Sequence, residues 1–199
     1  MGKNNIYYKI TRSDDPLIVG FLQHYSMPQV EILPPHNTHS YINAVKTSER
    51  VKEVDFLLPK NSIKDLNYIF SKKLLDIIEK YKLLEYKKIK IKIKGFINEY
   101  YLVSFLTINP ENFNFKKSIF IDYNRKNEEK IFNDFKEYNN YDSYLEGLLD
   151  YKKIVLSEKA ESDVLEISGA LYFSENVVTE IEKMNVKVIV VNKKSTLEY

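Results

Sequence analysis

The sequence predicts an α+β fold with a mixed, largely antiparallel sheet and two similar Ser-capped helix–strand units. With 44 % apolar residues among 199, the chain can bury a sizeable core. Strand-like and helix-like segments follow one another in no strict alternation, which is typical of α+β proteins. Two of the helix-like segments also resemble each other. We predict a single domain over residues 1–199, with an N-terminal subdomain at residues 1–50 and a main body at residues 51–199 as an alternative.

The first third of the chain predicts strands around a proline-rich loop. Residues 6–10 have the pattern of an edge strand, and residues 17–23 that of a second strand. Three prolines with neighbouring Asn and Thr predict a loop over residues 27–48. A buried strand is predicted at residues 54–59.

The two similar segments are residues 68–81 and 171–184, which align without a gap and are identical at five of 14 positions. Each contains a Phe-Ser pair whose serine, Ser71 or Ser174, stands where a helix N-cap belongs. Apolar residues then recur at the same helical phase in both segments, and each segment is followed by a strand pattern. We therefore predict two copies of one helix–strand unit.

The middle of the chain predicts an antiparallel meander. Residues 87–95 alternate strictly, which places Ile89, Ile91 and Ile93 inward and lysines outward. Strand patterns at residues 99–108 and 117–123 would complete the meander.

The last third predicts two short helices followed by strands. The helices are predicted at residues 128–138 and 141–151, from apolar residues at helical spacing. Strands are predicted at residues 152–157, 163–168 and 186–191.

Composition argues against several kinds of chemistry. The chain has no Cys, which removes disulfides, thiolate metal sites and thiol nucleophiles. His36 and His39 have a His-x-x-His spacing, but no carboxylate lies in that loop, so we predict exposed histidines and no metal site. The five glycines are isolated, so no phosphate-binding loop is predicted, and no cofactor is expected. The start lacks a signal peptide and no apolar run could span a bilayer, so we expect a soluble, cytoplasmic protein without membrane contact.

A basic stripe offers one candidate binding surface. Lys88, Lys90, Lys92 and Lys94, called the lysine stripe below, would project from one face of a strand. They could grip phosphates, and a nucleic-acid-binding accessory protein is the alternative function. The other interpretation is a solvated sheet face whose lysines discourage edge-to-edge pairing.

An acidic, tyrosine-bearing segment is the leading candidate surface for a protein partner. Tyr138, Tyr141 and Tyr144 recur every three residues, while Asp142, Glu146 and Asp150 recur every four and would share one helical face. Tyr is enriched in binding hot spots, and a rim of carboxylates would steer a basic partner. The alternative is an ordinary exposed acidic helix whose Tyr rings lie against the core.

The Ser-capped helices and their neighbouring strands resemble the immunity proteins of bacterial polymorphic toxin systems, in particular the families called immunity protein 43 and immunity protein 11. The matching stretches are IFSKKLLDIIEKY (69–81), EYYLVSFL (99–106), SIFIDY (118–123) and VLEISGALYFSENVVTEIEKMNVKVIVV (164–191). The family pattern continues after the aspartate with an acidic residue and a serine, where this chain has Asp122-Tyr123-Asn124-Arg125. The resemblance implies a protein that is not an enzyme and that binds and neutralises a cognate toxin. It supplies no catalytic residues.

The leading hypothesis is therefore toxin neutralisation through protein–protein contacts, and nucleic-acid binding through the lysine stripe is the alternative. A third class, an enzyme using only Asp, Glu, Lys, Tyr and Ser, would require a deep pocket holding carboxylates with perturbed pKa values.

Overall fold

The computed structural model describes residues 6–11, 29–32, 42–46, 53–59, 66–145, 149–186 and 190–198. Within these ranges it has three α-helices and fourteen strands, which confirms the α+β class. The helices are α1 (Lys72–Ile78), α2 (Phe135–Leu145) and α3 (Glu175–Lys183). The strands are β1 (Tyr7–Thr11), β2 (Gln29–Ile32), β3 (Ile42–Lys46), β4 (Phe56–Pro59), β5 (Tyr68–Ser71), β6 (Lys87–Ile93), β7 (Tyr100–Ser104), β8 (Leu106–Thr107), β9 (Ile119–Asp122), β10 (Glu128–Lys130), β11 (Leu149–Val155), β12 (Val164–Ile167), β13 (Ala170–Ser174) and β14 (Val190–Glu198).

The chain divides into two compact units whose segments interleave in sequence. The first unit comprises Met1–Ile10, Thr107–Val178 and Val191–Tyr199, and the second comprises Thr11–Leu106 and Thr179–Val190. Neither unit coincides with residues 1–50.

A six-stranded closed barrel forms the second unit, in the order β2-β3-β6-β7-β5-β4. Its antiparallel pairs include β6 with β7 and β5 with β7, while β3 runs parallel to β6. One row of side chains from each strand points into the barrel, and these inward side chains are apolar. The interior contains Ile32, Ala44, Val54, Leu57, Leu66, Ile69, Ile91, Ile93, Tyr100 and Leu102.

An eight-stranded sheet carries the first unit, in the order β10-β9-β11-β14-β1-β13-β12-β8. β1 was predicted as an edge strand, but it lies inside this sheet and pairs antiparallel with β13. Its buried Tyr7 and Ile10 are consistent with an interior position. The predicted meander is wrong in its last member, because β6 and β7 pair in the barrel whereas β9 belongs to this other sheet.

The two similar segments also share a pattern of hydrogen bonds, which in the second unit involves Ser71, Asp55 and Tyr100. β4, β5 and α1 form a hairpin that leads directly into a helix, and Ser71 caps that helix by accepting from the Leu74 backbone N–H at 3.2 Å. The Ser71 hydroxyl donates to the buried Asp55 carboxylate at 2.6 Å. The Tyr100 hydroxyl donates to the backbone carbonyl of Val54, the residue before that aspartate, at 2.8 Å.

The first unit repeats this arrangement with β12, β13 and α3. The Ser174 hydroxyl donates to the Asp163 carboxylate at 2.7 Å, and the Tyr7 hydroxyl donates to the backbone carbonyl of Ser162 at 2.7 Å. Tyr7 pairs with Ser174 across two strands as Tyr100 pairs with Ser71 in the other copy. The predicted similarity of the two units is confirmed, with the capping hydrogen bond observed at Ser71, and each unit includes an aspartate and a tyrosine outside the aligned segments.

Three local predictions are wrong. The loop predicted at residues 27–48 contains strands β2 and β3. The helix predicted at residues 128–138 is strand β10 followed by the start of α2, and the helix predicted at residues 141–151 is the end of α2 followed by strand β11. A single helix, Phe135–Leu145, therefore replaces the two predicted ones. The strand predicted at residues 17–23 lies outside the described residues.

The longest described helix has 11 residues, and none of the described helices combines the length and apolarity needed to cross a bilayer.

Candidate functional site: a tyrosine-lined cavity in the first unit

A partly open cavity of about 280 Å³ lies in the first unit and brings together three of the residues predicted from sequence. Tyr138 and Asp142 of helix α2 and Asp150 of strand β11 line it. The remaining lining residues are Lys9, Leu149, Tyr151, Ile167, Ser168 and Ala170. The cavity therefore combines apolar walls with an ammonium group, two carboxylates and three hydroxyls.

The hydroxyl groups form a chain that begins at Asp142. The Tyr138 hydroxyl donates to Asp142 at 3.5 Å and lies 3.1 Å from the Tyr151 hydroxyl. Tyr151 in turn lies 2.8 Å from the hydroxyl of Ser168. Burial raises the pKa of Tyr138, and its hydrogen bond to Tyr151 and the charge of Asp142 act in the same direction. That phenol therefore stays protonated at neutral pH and remains a donor.

Aromatic packing fixes the position of Tyr138. Its ring centroid lies 5.4 Å from that of Phe115, 5.1 Å from that of Phe120 and 5.6 Å from that of Phe132. Only 5 % of Tyr138 is exposed, so its ring belongs to the core, as the alternative interpretation of the acidic segment predicted. The ring is packed among these three phenylalanines, and the Tyr138 side chain also lines the cavity.

Asp150 forms the ionic part of the site. The Lys9 ammonium donates to Asp150 at 2.7 Å, and the Tyr123 hydroxyl and the Tyr151 backbone N–H also donate to this carboxylate at 3.1 and 2.7 Å. Burial acts to raise the pKa of Asp150, but the hydrogen bonds from Lys9 and the Tyr151 backbone, with the Lys9 charge, outweigh it and lower the pKa. Asp150 is therefore ionised and paired.

Asp142 differs from Asp150 in its partners. Its carboxylate is half-buried at the cavity wall, and the structure shows no cation paired with it among the described residues. Tyr138 is its hydrogen-bond donor. Asp142 is therefore the acidic group of the cavity that is free to receive a positive charge.

Tyr141 lies outside the cavity. Its hydroxyl donates to the fully buried Asp122 at 2.6 Å, and this hydrogen bond is the main reason that the pKa of Asp122 is lowered. Asp122 also accepts from the backbone N–H groups of Asn124 and Arg125 at 2.9 and 3.3 Å. Tyr141 thus stabilises a turn.

The remaining predicted residues do not complete an acidic helical face. Glu146 and the side chain of Tyr144 lie outside the described residues. Asp142 lies on a helix and Asp150 on a strand, so the shared face inferred from their spacing is wrong. The two carboxylates meet because α2 and β11 line the same cavity.

Lys9, Tyr151 and Ser168 were missed by the sequence analysis. Tyr151 continues the tyrosine series of the segment and could have been included on that signal. Ser168 and Gly169 form the two-residue turn between β12 and β13, both with positive φ (+47° and +75°) as a type I′ hairpin turn requires. Lys9 lies 141 residues from Asp150 in sequence, and no local pattern links them.

The lysine stripe lies in the second unit, on β6 and the residue that follows it, and two of its four lysines are paired with acids. Lys88 forms an ion pair with Glu79, and Lys90 forms one with Glu99. Exposed pairs of this kind contribute little to stability but cancel local positive charge. Ile91 and Ile93 point inward as predicted, whereas Ile89 is 38 % exposed.

Among the described residues no group of His, Asp and Glu is arranged to hold a metal ion. His24, His36 and His39 lie outside the described ranges.

No protein-family model and no curated protein matches the chain. The geometry of the cavity is therefore the basis for a functional proposal.

Proposed function

We propose that this protein is an immunity protein that binds and neutralises a cognate bacterial toxin in the cytoplasm through non-covalent contacts. The resemblance of its Ser-capped units to immunity protein families supports this proposal. Binding, rather than catalysis, is its proposed activity.

The half-buried carboxylate of Asp142 carries the proposal. A carboxylate that is already partly desolvated, next to side chains that core packing holds in place, requires little reorganisation when a partner binds. Next to it stand the phenols of Tyr138 and Tyr151, positioned by core packing. Preorganised aromatic and charged groups of this kind dominate the free energy of protein–protein binding.

The sign of the charge indicates the kind of partner. Two carboxylates and one ammonium give the cavity a formal net charge of −1. A basic surface complements this charge, and many toxins that act on nucleic acid have one because they bind phosphate groups. Neutralisation would follow if the bound protein covered the toxin's active site or its substrate-binding surface.

A charge-reversal pair tests the proposal. The cognate toxin is sought as a toxin domain encoded by the gene adjacent to the one for this chain. That domain is expressed in bacteria with and without the protein, and affinity is measured by calorimetry on the purified pair. We expect the wild-type protein to restore growth and Asp142→Lys to weaken binding at least tenfold, which corresponds to about 1.4 kcal/mol. Glu158→Lys makes the same charge change at an exposed residue of the first unit outside the cavity and should leave affinity within about twofold.

Failure of the wild-type protein both to restore growth and to bind the toxin would reject the proposed function. Equal affinity of the Asp142→Lys and Glu158→Lys variants would reject the cavity as the contact surface.

A further inference from the structure

The duplication provides an internal control for the residues of the cavity. In the second unit the row that crosses β4, β5 and β7 consists of Leu57, Ile69 and Leu102, all of them fully buried. The two copies can be superposed in register because the Ser71–Tyr100 pair of the second unit corresponds to the Ser174–Tyr7 pair of the first. This correspondence identifies the equivalent row in the first unit. It crosses β12, β13 and β1 and consists of Leu165, Tyr172 and Lys9.

Two apolar residues of one copy are thus replaced by polar residues in the other. The backbone arrangement does not require this polarity, because the second unit is built the same way with Ile69 and Leu102. Tyr172 is completely buried, and its hydroxyl has no hydrogen-bond partner among the described residues. A buried hydroxyl without a partner costs free energy. The second copy therefore shows that this backbone arrangement needs no polar residue at the positions of Tyr172 and Lys9.

Both residues belong to the surroundings of the cavity. Lys9 lines it and holds Asp150, with only 16 % of the lysine side chain exposed. Tyr172 lies directly opposite Lys9 in the strand register, and burial, together with the charge of Asp150, raises the pKa of its phenol. The first unit therefore has two polar residues, Tyr172 and Lys9, next to its cavity at positions where the second unit has apolar ones.

The cavity offers more hydrogen-bond acceptors than donors. Asp142 contributes a carboxylate, and the hydroxyls of Tyr138, Tyr151 and Ser168 each carry two lone pairs but only one hydrogen. The three hydroxyl hydrogens are used in the three contacts that link Asp142, Tyr138, Tyr151 and Ser168. Most lone pairs of these oxygens therefore remain available as acceptors. The Lys9 ammonium already donates to Asp150. A ligand with several donors and a positive charge would complement this arrangement.

We infer that the cavity binds the guanidinium group of an arginine side chain presented by the partner protein, with Asp142 as its counter-ion. This inference rests on the proposed function for the identity of the partner. A planar guanidinium has five N–H donors and stacks on aromatic rings, whereas a lysine ammonium has three donors and no plane. A volume of about 280 Å³ is below the usual range for drug-sized ligands and suits one inserted side chain.

Titration with a capped amino acid tests the site without the toxin. The probe is N-acetyl-arginine amide, and its neutral isostere N-acetyl-citrulline amide is the matched control. Binding is followed by NMR of ¹³C-labelled tyrosine rings. We expect saturable shifts of the Tyr138 and Tyr151 signals with the arginine probe and at least tenfold weaker binding of the citrulline probe. Asp142→Asn should weaken the arginine probe at least tenfold, and Glu158→Gln should leave it unchanged.

The toxin provides the second arm. Asp142→Asn should lower toxin affinity at least tenfold while the rest of its NMR spectrum stays native, which separates a lost contact from misfolding. If the wild-type protein binds toxin but no saturable shift occurs with the arginine probe, the inference is wrong and the proposed function stands. If the probe binds but Asp142→Asn leaves toxin affinity unchanged, the cavity does not anchor the partner and the inference is equally wrong. If the probe binds but the wild-type protein does not bind toxin, the proposed function itself fails.

Discussion

Removing one hydroxyl from each of two buried tyrosines should change stability in opposite directions. Tyr172→Phe deletes a hydroxyl that has no partner among the described residues, while Tyr7→Phe deletes one that donates to the Ser162 carbonyl at 2.7 Å. Both rings are at most 1 % exposed, and the two residues lie on neighbouring strands of the same sheet. The two substitutions are therefore chemically identical and differ only in hydrogen bonding.

The magnitudes follow from the cost of burying polar groups. Tyr7→Phe removes the hydroxyl that donates to the Ser162 carbonyl and should lower the free energy of unfolding by about 1–3 kcal/mol. Tyr172→Phe removes a desolvated hydroxyl that makes no compensating bond and should raise the free energy of unfolding by about 1–2 kcal/mol. The expected difference between the variants is about 2–5 kcal/mol.

Urea denaturation followed by near-ultraviolet circular dichroism measures both effects. The dependence of the unfolding free energy on urea should be the same for both variants, which shows that they expose the same surface on unfolding. If Tyr172→Phe destabilised the protein by as much as Tyr7→Phe, the Tyr172 hydroxyl would have a partner in solution. Tyr172 would then impose no cost on stability, contrary to the reasoning from its buried hydroxyl.

Three further substitutions test other parts of the structure. Ser71→Ala removes a helix cap and one donor to the buried Asp55 carboxylate, so it should cost about 2–4 kcal/mol in urea denaturation; a loss below about 0.5 kcal/mol would contradict the role of this contact. Ile91→Ala should cost about 2–5 kcal/mol because Ile91 is buried in the barrel, whereas Ile89→Ala on the same strand should cost less than about 1 kcal/mol because Ile89 is 38 % exposed; equal losses would exclude the observed orientation of β6. The pKa of Asp150 is lower in the folded than in the unfolded protein, so its stabilisation is complete above the unfolded value near 3.9 and disappears as pH falls through the lower folded value. Asp150→Asn should therefore flatten the loss of stability between about pH 5 and about pH 2, and an unchanged acid limb would show that this carboxylate is not linked to folding.

The fold class could be predicted because periodicity and capping are local signals. Strict alternation identified β6, and the Phe-Ser pairs located the starts of α1 and α3. The serines were correctly placed at the helix starts, but strands β5 and β13, which lead directly into those helices, were not predicted. A short apolar run fits a buried strand and a helix equally well, so sequence alone could not decide between them.

The cavity was only partly predictable because it depends on contacts distant in sequence. The spacing of Asp142, Glu146 and Asp150 fits one helical face, but Asp150 belongs to strand β11, Leu149–Val155. The alternation of Leu149 and Tyr151 is a strand signal that the sequence prediction did not use. The acidic, tyrosine-rich composition of the segment was enough to select Asp142 and Asp150 as candidate binding residues. The pairing of Lys9 with Asp150 arises only from strand order in the sheet, which no local pattern contains.

The duplicated units distinguish contacts that the fold requires from positions at which it can vary. Each copy joins an aspartate to a capping serine and a tyrosine to the carbonyl preceding that aspartate, so these bonds belong to the architecture whatever the protein binds. The row on the opposite face of these strands has the same character in both copies, with the buried Phe70 paired with Tyr101 in one and the buried Phe173 paired with Tyr8 in the other. Polarity changes at the inward row, where Lys9 and Tyr172 stand in the positions of Leu102 and Ile69. The second unit has hydrocarbon side chains at this pair of positions. In the first unit the pair consists of Lys9, which is ion-paired with Asp150, and Tyr172, whose hydroxyl has no hydrogen-bond partner among the described residues. A ligand explains this difference in polarity more simply than core packing does.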